Sequence, residues 1–278
     1  MIPVLLHLGP ITIYSYGLMM ALGFISADLL LTSECRRRGI DTDLANAAVV
    51  WAAIGGIAGS RLYDVIDNWP IYRANPWSIV FSGAGFVWYG GFIGGVVATA
   101  IVARRYRVGI VQLFDMSAPA LVLGQAFGRI GCLLSGDGDW GLPSTLPWAM
   151  AYPKAIVGWN AHTVLKLDAN DNLVSGYFPG VRVHPTPIYE AVLYVGIFVL
   201  LWSMRRSAPD GRLLALYLML SGLARFLVEF LRINPRVLWG LSEAQLISIV
   251  MMAAGAAVWY ATAPRHGVAV EPPATLRA

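Results

Sequence analysis

Long apolar runs recur along the chain, each about 20 residues long. Segments of this length cross a bilayer as helices, because a helix satisfies every backbone polar group within the segment. The pattern predicts seven spans, at roughly 12–33, 45–66, 84–103, 112–134, 186–204, 212–231 and 243–263. We therefore expect an all-α polytopic membrane protein with seven transmembrane helices.

The composition supports this interpretation. Hydrophobic residues make up 57% of the 278 positions and charged residues only 13%, with a mean hydropathy of +0.62. This balance is too apolar for an ordinary soluble domain. The formal charge of +4 does not indicate a nucleic-acid partner, because the basic residues form short clusters beside the spans and no basic domain.

Arginine clusters follow every second predicted span, and short cytoplasmic loops carry the excess of Lys and Arg. The clusters are Arg36, Arg37 and Arg38; Arg104, Arg105 and Arg107; Arg205, Arg206 and Arg212; and finally Arg265. The N-terminus is therefore expected to be periplasmic and the C-terminus cytoplasmic. No Lys or Arg precedes the first apolar run, which is interpreted as a retained helix and not a signal peptide.

The organisation predicted for residues 1–278 is a single membrane domain. Its longest connection, residues 136–185 between spans four and five, is rich in Asn, Asp, Gly and Pro, which favours irregular structure. Long irregular connections are often functional. By the predicted topology this segment is periplasmic, and it is a candidate head for substrate recognition.

Several ionisable residues fall inside the predicted spans, where they are costly and by default indicate function. They are Asp28, Arg61, Asp64, Arg129, Arg225, Glu229 and Arg232. The last three are spaced by four and three residues and share one helix face. Two interpretations stay open for them: a structural ion network between helices, or an anion site for a lipid headgroup.

Arg129 lies between Gly128 and Gly131, where missing side chains leave room for close backbone approach or for a ligand. A guanidinium group matches a phosphate with two parallel hydrogen bonds. Two such arginines in one membrane cavity indicate a phospholipid ligand. Arg61 and Asp64, three residues apart, are instead interpreted as a structural pair.

Two tyrosines and one histidine complete the candidate residues. Tyrosine at a membrane interface is normally an anchor. This is the alternative to a functional role for Tyr16 and for Tyr89, which is followed by two glycines. The motif HPTPIYE opens the fifth span, and its prolines fit a helix entry. Within the motif, His184 and Glu190 could face an outer cavity.

Two cysteines and four histidines add little to this picture. Cys35 falls on the predicted cytoplasmic side and Cys132 near the outer end of a span, so no disulfide between them is expected. No metal-ligand spacing occurs around the histidines, and no metal site is predicted.

The motifs YGLMMALGF, GSRLYDVI, GGFIGG, GRIGCLLSGDGDWG, HPTPIYE and RFLVEFLR occur in this order from Tyr16 to about Gln245. In order and spacing they closely resemble the prolipoprotein diacylglyceryl transferases, enzymes of the bacterial inner membrane. The segment beginning GRIG resembles the family signature, and HPTPIYE adds support.

The resemblance implies a reaction. The diacylglyceryl group of phosphatidylglycerol would pass to the lipobox cysteine thiol of a prolipoprotein signal peptide, forming a thioether and releasing glycerol phosphate. This would be the first step of lipoprotein maturation, in the inner membrane, without a cofactor. The family's seven helices and periplasmic N-terminus agree with the arginine pattern.

The resemblance also implies roles for individual residues. Arg129, Arg225 and Tyr16, which match important family residues, would be catalytic. Tyr89 is a further catalytic candidate from the residues themselves, because the glycines beside it would let a ligand approach. Substrate binding would involve Arg129 again, with Asp137, Gly141, Glu229 and Arg232. His184 is a further binding candidate from its place in HPTPIYE. Asp139 is interpreted as a loop residue.

The chain departs from the common family pattern at four points. Tyr89 stands where many members have histidine, Cys132 where they have asparagine, and Asp137 where they have glutamate; the segment GDGDWG is one residue longer. These departures argue against a mechanism in which that histidine is the obligatory general base. They do not change the roles that the resemblance implies for the arginines.

Two other functions remain possible from the residues alone. A lipid transporter would also keep arginines in a cavity, but internal repeats or paired broken helices are typical of transporters, and the sequence shows neither. A different headgroup transferase would share the cavity and differ in its acceptor.

Overall fold

The computed structural model describes residues 1–9, 11–74, 87–160, 163–164 and 180–263. Residues 84–86 of the third predicted span and Arg265 of the last arginine cluster lie outside this part of the chain. Seven helices of 17–26 residues dominate the described residues, and one short helix and two short antiparallel hairpins accompany them.

The chain begins with strands β1 (Val4–Leu8) and β2 (Ile11–Tyr14), which pair as a hairpin. Helices α1 (Ser15–Arg38), α2 (Asp43–Asp67), the short α3 (Trp69–Ala74) and α4 (Trp88–Arg105) follow. Next come α5 (Ile110–Ser135), α6 (Thr186–Met204) and α7 (Arg212–Val228), which a 3-10 turn (Glu229–Leu231) extends. A second hairpin, β3 (Arg236–Leu238) and β4 (Leu241–Ser242), leads into α8 (Glu243–Ala261).

Six of these helices are long and apolar enough to cross a membrane, by the criteria of length and composition applied to the described residues. They are α1, α2, α5, α6, α7 with its 3-10 extension, and α8. The third predicted span corresponds to α4, which is not one of the six. It has 18 residues, four of them glycine, and ends on two arginines.

The six apolar helices make the protein a polytopic helical membrane protein.

Local sequence explains several helix boundaries. Helix α1 ends at Gly39, which has a left-handed backbone (φ 67°), directly after three arginines whose charge favours a helix C-terminus. Helix α8 begins with a capping box, in which Ser242 and Gln245 satisfy each other's backbone N–H groups. Pro187 lies in the first turn of α6, as the sequence predicted.

Helix α5 is central, because it packs against α1, α6 and α7. Helices α7 and α8 form a second pair, and α2 and α4 a third. The α2–α4 contact is made through glycines: a methyl group at Gly55 would lie 2.6 Å from the Gly94 carbonyl oxygen. Small residues let transmembrane helices approach this closely, so the motif GGFIGG is explained by packing.

A buried ion network ties helix ends together at the arginine-rich end of the bundle. Glu34 of α1 is almost completely buried, and the Nε of Arg205 lies 2.9 Å from its carboxylate. Arg37 lies 2.6 Å from the same carboxylate. Arg38 reaches Asp115 of α5 at 3.5 Å and also contacts Asp210. Some of the arginines that indicated topology therefore also hold α1, α5 and α6 together.

The described part of the 136–185 segment packs on its own aromatic cluster. Trp140, Tyr152 and Trp159 are buried, with ring centroids 5.0–5.7 Å apart. Val183 forms backbone bridges with Pro143 and Met150. This packing holds the segment against the end of the bundle at which α5 ends and α6 begins.

Candidate active site

A cavity of about 770 Å³ lies among α1, α4, α5, α6, α7 and α8, at the end next to the 136–185 segment. Its polar wall includes Tyr16, Arg129, Cys132, Asp137, Asp139 and Arg225. The rest of the lining is mainly apolar, including Met20, Phe24, Leu121, Ile247 and Met251. The cavity therefore offers one charged end and a long apolar remainder.

Glu190 of α6 joins the two cavity arginines. Its side chain is fully buried, and its Oε2 lies 2.9 Å from Nε of Arg129, while Arg225 donates from Nη1 to Oε1 at 2.6 Å. The side chains of Arg129 and Arg225 are 23% and 19% exposed, so both still face the cavity. A buried carboxylate that pairs with two guanidinium groups fixes their positions, because either guanidinium left without it would be a costly unpaired charge.

Arg232 forms a deeper layer behind these two arginines. Its side chain is only 3% exposed, and it lies 3.4 Å from Glu229 and 3.6 Å from Glu190. Glu229 is fully buried and also pairs with Arg225 at 3.1 Å. Asn234 and Ser242 donate to its other oxygen at 2.6 and 2.8 Å. Arg232 and Glu229 therefore support the site from within the protein and do not line the cavity.

Asp139 completes the ion network. Its two carboxylate oxygens contact Arg129 and Arg232, and its backbone carbonyl accepts a hydrogen bond from Thr186 at 2.6 Å. Burial acts to raise the pKa of this carboxyl, but Arg232 and then Arg129 overcome that effect and lower the pKa below its usual range. Asp139 lies in a loop but is also an ionised member of the network, so its interpretation as a loop residue only was wrong.

Asp137 lines the cavity without joining the arginines directly. It accepts a hydrogen bond from the backbone N–H of Asp139 at 3.3 Å and contacts the Cys132 thiol. Burial, followed by the charge of Asp139, raises the pKa of the Asp137 carboxyl. Two glycines with left-handed backbones, Gly136 (φ 65°) and Gly138 (φ 93°), flank Asp137 and place both aspartates at the cavity.

Gly141 and His184 lie beside the cavity, in the backbone that frames it. The N–H of Gly141 donates to the His184 carbonyl at 2.9 Å, and Gly141 bridges to Arg232. A methyl group on Gly141 would lie 2.8 Å from Cβ of His184 and would collide with the Leu231 carbonyl. The His184 ring lies 3.3 Å from the Tyr189 hydroxyl, which also accepts a hydrogen bond from Trp148. Gly141 and His184 therefore shape the backbone beside the cavity and do not line the cavity itself.

The two candidate tyrosines occupy different places. Tyr16, in the first turn of α1, lines the cavity, and its ring packs on Gly131, where a methyl group would lie 3.0 Å from it. Tyr89 donates its hydroxyl proton to Glu243 at the start of α8. Its neighbour Trp88 lines the cavity, whereas Tyr89 is not among the lining residues. The structure therefore brings Tyr16 to the arginines and leaves Tyr89 at the α4–α8 contact.

The pair Arg61 and Asp64 lies away from this cavity. Their charged groups are 4.0 Å apart, and Asp64 also accepts hydrogen bonds from Asn68 and Tyr72. Cys35 and Cys132 are both buried and unbonded to each other. Both observations agree with the structural interpretations made from the sequence.

Within the described residues, one group of possible metal ligands converges: a sulfur and two carboxylate oxygens from Cys132, Asp137 and Asp139 lie within 4.8 Å of one another. Arg129 and Arg232 already supply Asp139 with positive charge. We therefore interpret this group as part of the ion network.

Sequence reasoning missed Glu190 as the centre of the network, although it noted the residue in HPTPIYE. Glu190 is the fifth residue of α6, and a periodic pattern alone does not specify its partners. The signal that could have found it is charge balance: the three arginines of the site require more than Glu229 to neutralise them in a membrane.

The apolar helices and the charged cavity between them define the class of this protein, which is a polytopic membrane protein with an internal polar site. The sequence matches the family model described as prolipoprotein diacylglyceryl transferase over residues 3–261. The chain belongs to this family.

Curated relatives carry the same name. A phosphatidylglycerol–prolipoprotein diacylglyceryl transferase of Clostridium tetani is 34% identical over 257 residues, covering 91% of this chain and 94% of the relative. A second, from Clostridium perfringens, is 34% identical over 87% of this chain and 88% of its own. A third, from Nostoc sp., is 32% identical over 92% of this chain and 87% of its own.

Proposed function

We propose that this protein transfers the diacylglyceryl group of phosphatidylglycerol to a prolipoprotein, the first step of lipoprotein maturation. Phosphatidylglycerol and prolipoprotein are the substrates in the names of its relatives. The observation that carries the proposal is the pair Arg129 and Arg225, held on the two oxygens of buried Glu190 at the charged end of a membrane cavity.

The proposed acceptor is the thiol of the lipobox cysteine in a prolipoprotein signal peptide. Its sulfur attacks the glycerol carbon that carries the phosphate, a carbon–sulfur bond forms, and the carbon–oxygen bond breaks. Glycerol phosphate leaves with the bonding electrons, and the thiol loses its proton. Negative charge therefore grows on the phosphate oxygen, and positive charge fixed there in advance lowers the barrier.

Arg129 and Arg225 are assigned to the phosphate because they are the arginines of the network that face the cavity. Tyr16 lines the same wall and can donate a hydrogen bond to the lipid. Asp137, also on this wall, is assigned to the substrate headgroup or thiol. Tyr89 acts through its bond to Glu243, which positions α4 beside the cavity.

Glu229, Arg232, Gly141 and His184 are assigned supporting roles. The first two fix Arg225 and Asp139 from behind, and the last two form the backbone frame. We therefore assign Arg232 and Glu229 to the structural ion network of the sixth span, and Arg225 both to that network and to the anion site.

The membrane arrangement is also part of the proposal. We place the protein in the bacterial inner membrane as a single domain with seven crossings, counting α4. The N-terminus and residues 136–185 are periplasmic and the C-terminus is cytoplasmic. The alternating arginine clusters support this arrangement, and it puts the charged end of the cavity at the outer surface.

The test is a reaction between the purified protein, phosphatidylglycerol and a peptide containing a lipobox cysteine, followed by mass analysis. We expect a diacylglyceryl mass gain on the peptide and release of glycerol phosphate. A peptide with serine in place of the cysteine is the control. Movement of lipid without covalent change would instead support a transporter, and transfer to another acceptor would support a different headgroup transferase.

A further inference from the structure

A second polar layer lies in the cavity, one helical turn deeper than the arginines. Gln125 is four residues before Arg129 on α5, and Ser221 is four residues before Arg225 on α7. Both line the cavity. Residues four apart share one helix face, and four residues correspond to a rise of about 6 Å. The two layers are therefore stacked along the cavity wall.

Polar atoms of this second layer are unsatisfied within the described residues. Ser221 is 1% exposed, yet its hydroxyl oxygen has no hydrogen-bond partner there. The amide oxygen Oε1 of Gln125 is also buried without a partner. Buried polar groups are nearly always hydrogen-bonded, because an unpaired one loses its hydration without compensation. Unpaired groups on the wall of a cavity therefore indicate a polar ligand atom.

The surroundings limit which ligand atoms fit. The cavity beyond this layer is lined by apolar side chains, including Phe24, Leu121 and Met251. The two residues carry no charge, so they do not select a second anion. They suit neutral hydrogen-bond acceptors that are joined to an apolar chain.

We propose that Gln125 and Ser221 form a subsite for the acyl ester carbonyls of the diacylglyceryl group. The inference rests on the proposed function: when the arginines hold the phosphate, the two ester groups of the same lipid lie a few ångströms further along the glycerol. The Ser221 hydroxyl donates to one ester carbonyl oxygen. The unpaired atom of Gln125 is an acceptor, so its amide group turns by half a rotation, which puts the N–H₂ in the place of Oε1, and donates to the other ester carbonyl oxygen. The acyl chains then continue along the apolar wall.

This subsite fixes the position of the lipid along the cavity. The carbon that is attacked lies between the phosphate and the esters, so holding both sides fixes its position relative to the incoming sulfur. Correct placement of the reacting atoms is a large part of catalysis. The ester groups themselves take no part in bond breaking, which makes it possible to remove them without changing the chemistry.

The experiment pairs enzyme variants with lipid variants. Diacyl phosphatidylglycerol is compared with its dialkyl ether analogue, which keeps the phosphate and the reacting carbon but lacks both ester carbonyls. The variants are Ser221→Ala and Gln125→Met. The matched control is Ser203→Ala, which removes an exposed hydroxyl on α6 that bonds to its own helix at Leu200.

We expect the wild type to prefer the diester. Each subsite variant should lose about three- to tenfold in kcat/KM on the diester, the loss of one hydrogen bond, and should change little on the diether. Lipids with one ester and one ether should assign each residue to one acyl position. The control should lose nothing on either lipid.

Two outcomes would overturn the subsite. One is an equal loss on diester and diether, which would indicate a general structural effect; the other is full activity of both variants on the diester. Thermal unfolding separates misfolding from lost binding, because removal of an unpaired buried hydroxyl should not lower the unfolding temperature of Ser221→Ala without lipid. If the wild type transfers neither lipid, the proposed function fails and not the subsite alone.

Discussion

At the scale of single residues, the site depends on Arg129, whose guanidinium group contacts two carboxylates and also faces the cavity. The guanidinium group lies against Glu190 inside the protein and Asp139 at the cavity, and it still faces the cavity. Its Nη1 also lies 4.0 Å from the Cys132 sulfur. Guanidinium charge next to a thiol lowers the thiol pKa and favours the thiolate. Arg129 can therefore act on both partners of the proposed reaction.

We predict that Arg129→Ala loses far more transfer activity than Tyr89→Phe. Removal of one preorganised electrostatic donor costs roughly 10²–10³ in rate, whereas the Tyr89 hydroxyl is bound to Glu243. Arg129→Lys should recover only part of the activity, because lysine lacks the planar fork. The measurement is lipidation by folded, detergent-purified variants across a pH series. An inactive Tyr89→Phe beside a normal Arg129→Ala would replace this mechanism by one centred on the tyrosine.

The two aspartates of the GDGDWG segment should respond to neutralisation with opposite signs. Asp139 has a lowered pKa, so its ionised form stabilises the fold above the pKa of the unfolded chain, and this contribution is lost as the pH falls through the folded pKa. Asp137 has a raised pKa, so its ionisation costs stability as the pH rises towards that value.

We therefore predict that at pH 7 Asp139→Asn lowers the unfolding temperature and Asp137→Asn raises it or leaves it unchanged. The Asp137 difference should disappear as the pH falls from its raised pKa to about 4, whereas the Asp139 difference should begin to shrink only as the pH falls below about 4. Thermal unfolding of the two variants in one detergent over a pH series is the measurement. A lower unfolding temperature for Asp137→Asn at pH 7 would contradict this assignment of the two carboxylates.

At the scale of helices, the glycine-mediated contact between α2 and α4 decides where α4 lies. Gly55 and Gly59 of α2 meet Gly90 and Gly94 of α4 so closely that added methyl groups would collide with backbone carbonyls. Without a hydrophobic driving force between helices in lipid, such close packing is a main source of helix association. Trp88 of α4 reaches the cavity wall as a result of this packing.

We predict that Gly94→Ala destabilises the protein by about 1–3 kcal/mol, the usual cost of overpacking. Its methyl group would lie 3.0 Å from Cα of Gly59 and would collide with the Gly55 carbonyl. The matched control is Gly196→Ala in α6, where no atom lies within 4 Å of the added methyl group. Thermal unfolding should show a drop for the first variant only. Equal unfolding temperatures would remove α2–α4 packing as the explanation of GGFIGG.

At the scale of the whole molecule, charge is concentrated at the two ends of the bundle. One end holds Glu34 with the arginines that indicate the cytoplasmic side, and the other holds Glu190 with the arginines of the cavity. Apolar helices connect the two ends, as the bilayer requires. The family match over residues 3–261 confirms the expectation drawn from the motifs.

The orientation is testable with single cysteines in a variant whose two native cysteines are replaced. Lys154→Cys, at an exposed position in the 136–185 segment, should react with an impermeant thiol reagent in intact spheroplasts. Arg104→Cys, exposed at the end of α4, should react only after the membrane is opened. The reverse labelling pattern would invert the proposed topology.

The sequence by itself determined the long apolar helices, the kind of protein and the arginines that line the cavity. Apolar runs and helix ends are local features, and a charge inside an apolar run is evident without any partner. The motifs from Tyr16 to Gln245 were sufficient for the family, because their order does not depend on three-dimensional contacts.

Only the tertiary structure decided which charges meet. Arg225 and Glu190 are 35 positions apart on different helices, and their contact depends on how α6 and α7 pack against α5. Asp139 pairs with Arg129 and Arg232 and Asp137 does not; Gly138, with a left-handed backbone, turns the chain between the two aspartates. Tyr89 reaches Glu243 across 154 positions. Helix periodicity fixes a side chain's direction on its own helix, but the neighbour it meets is set by long-range packing.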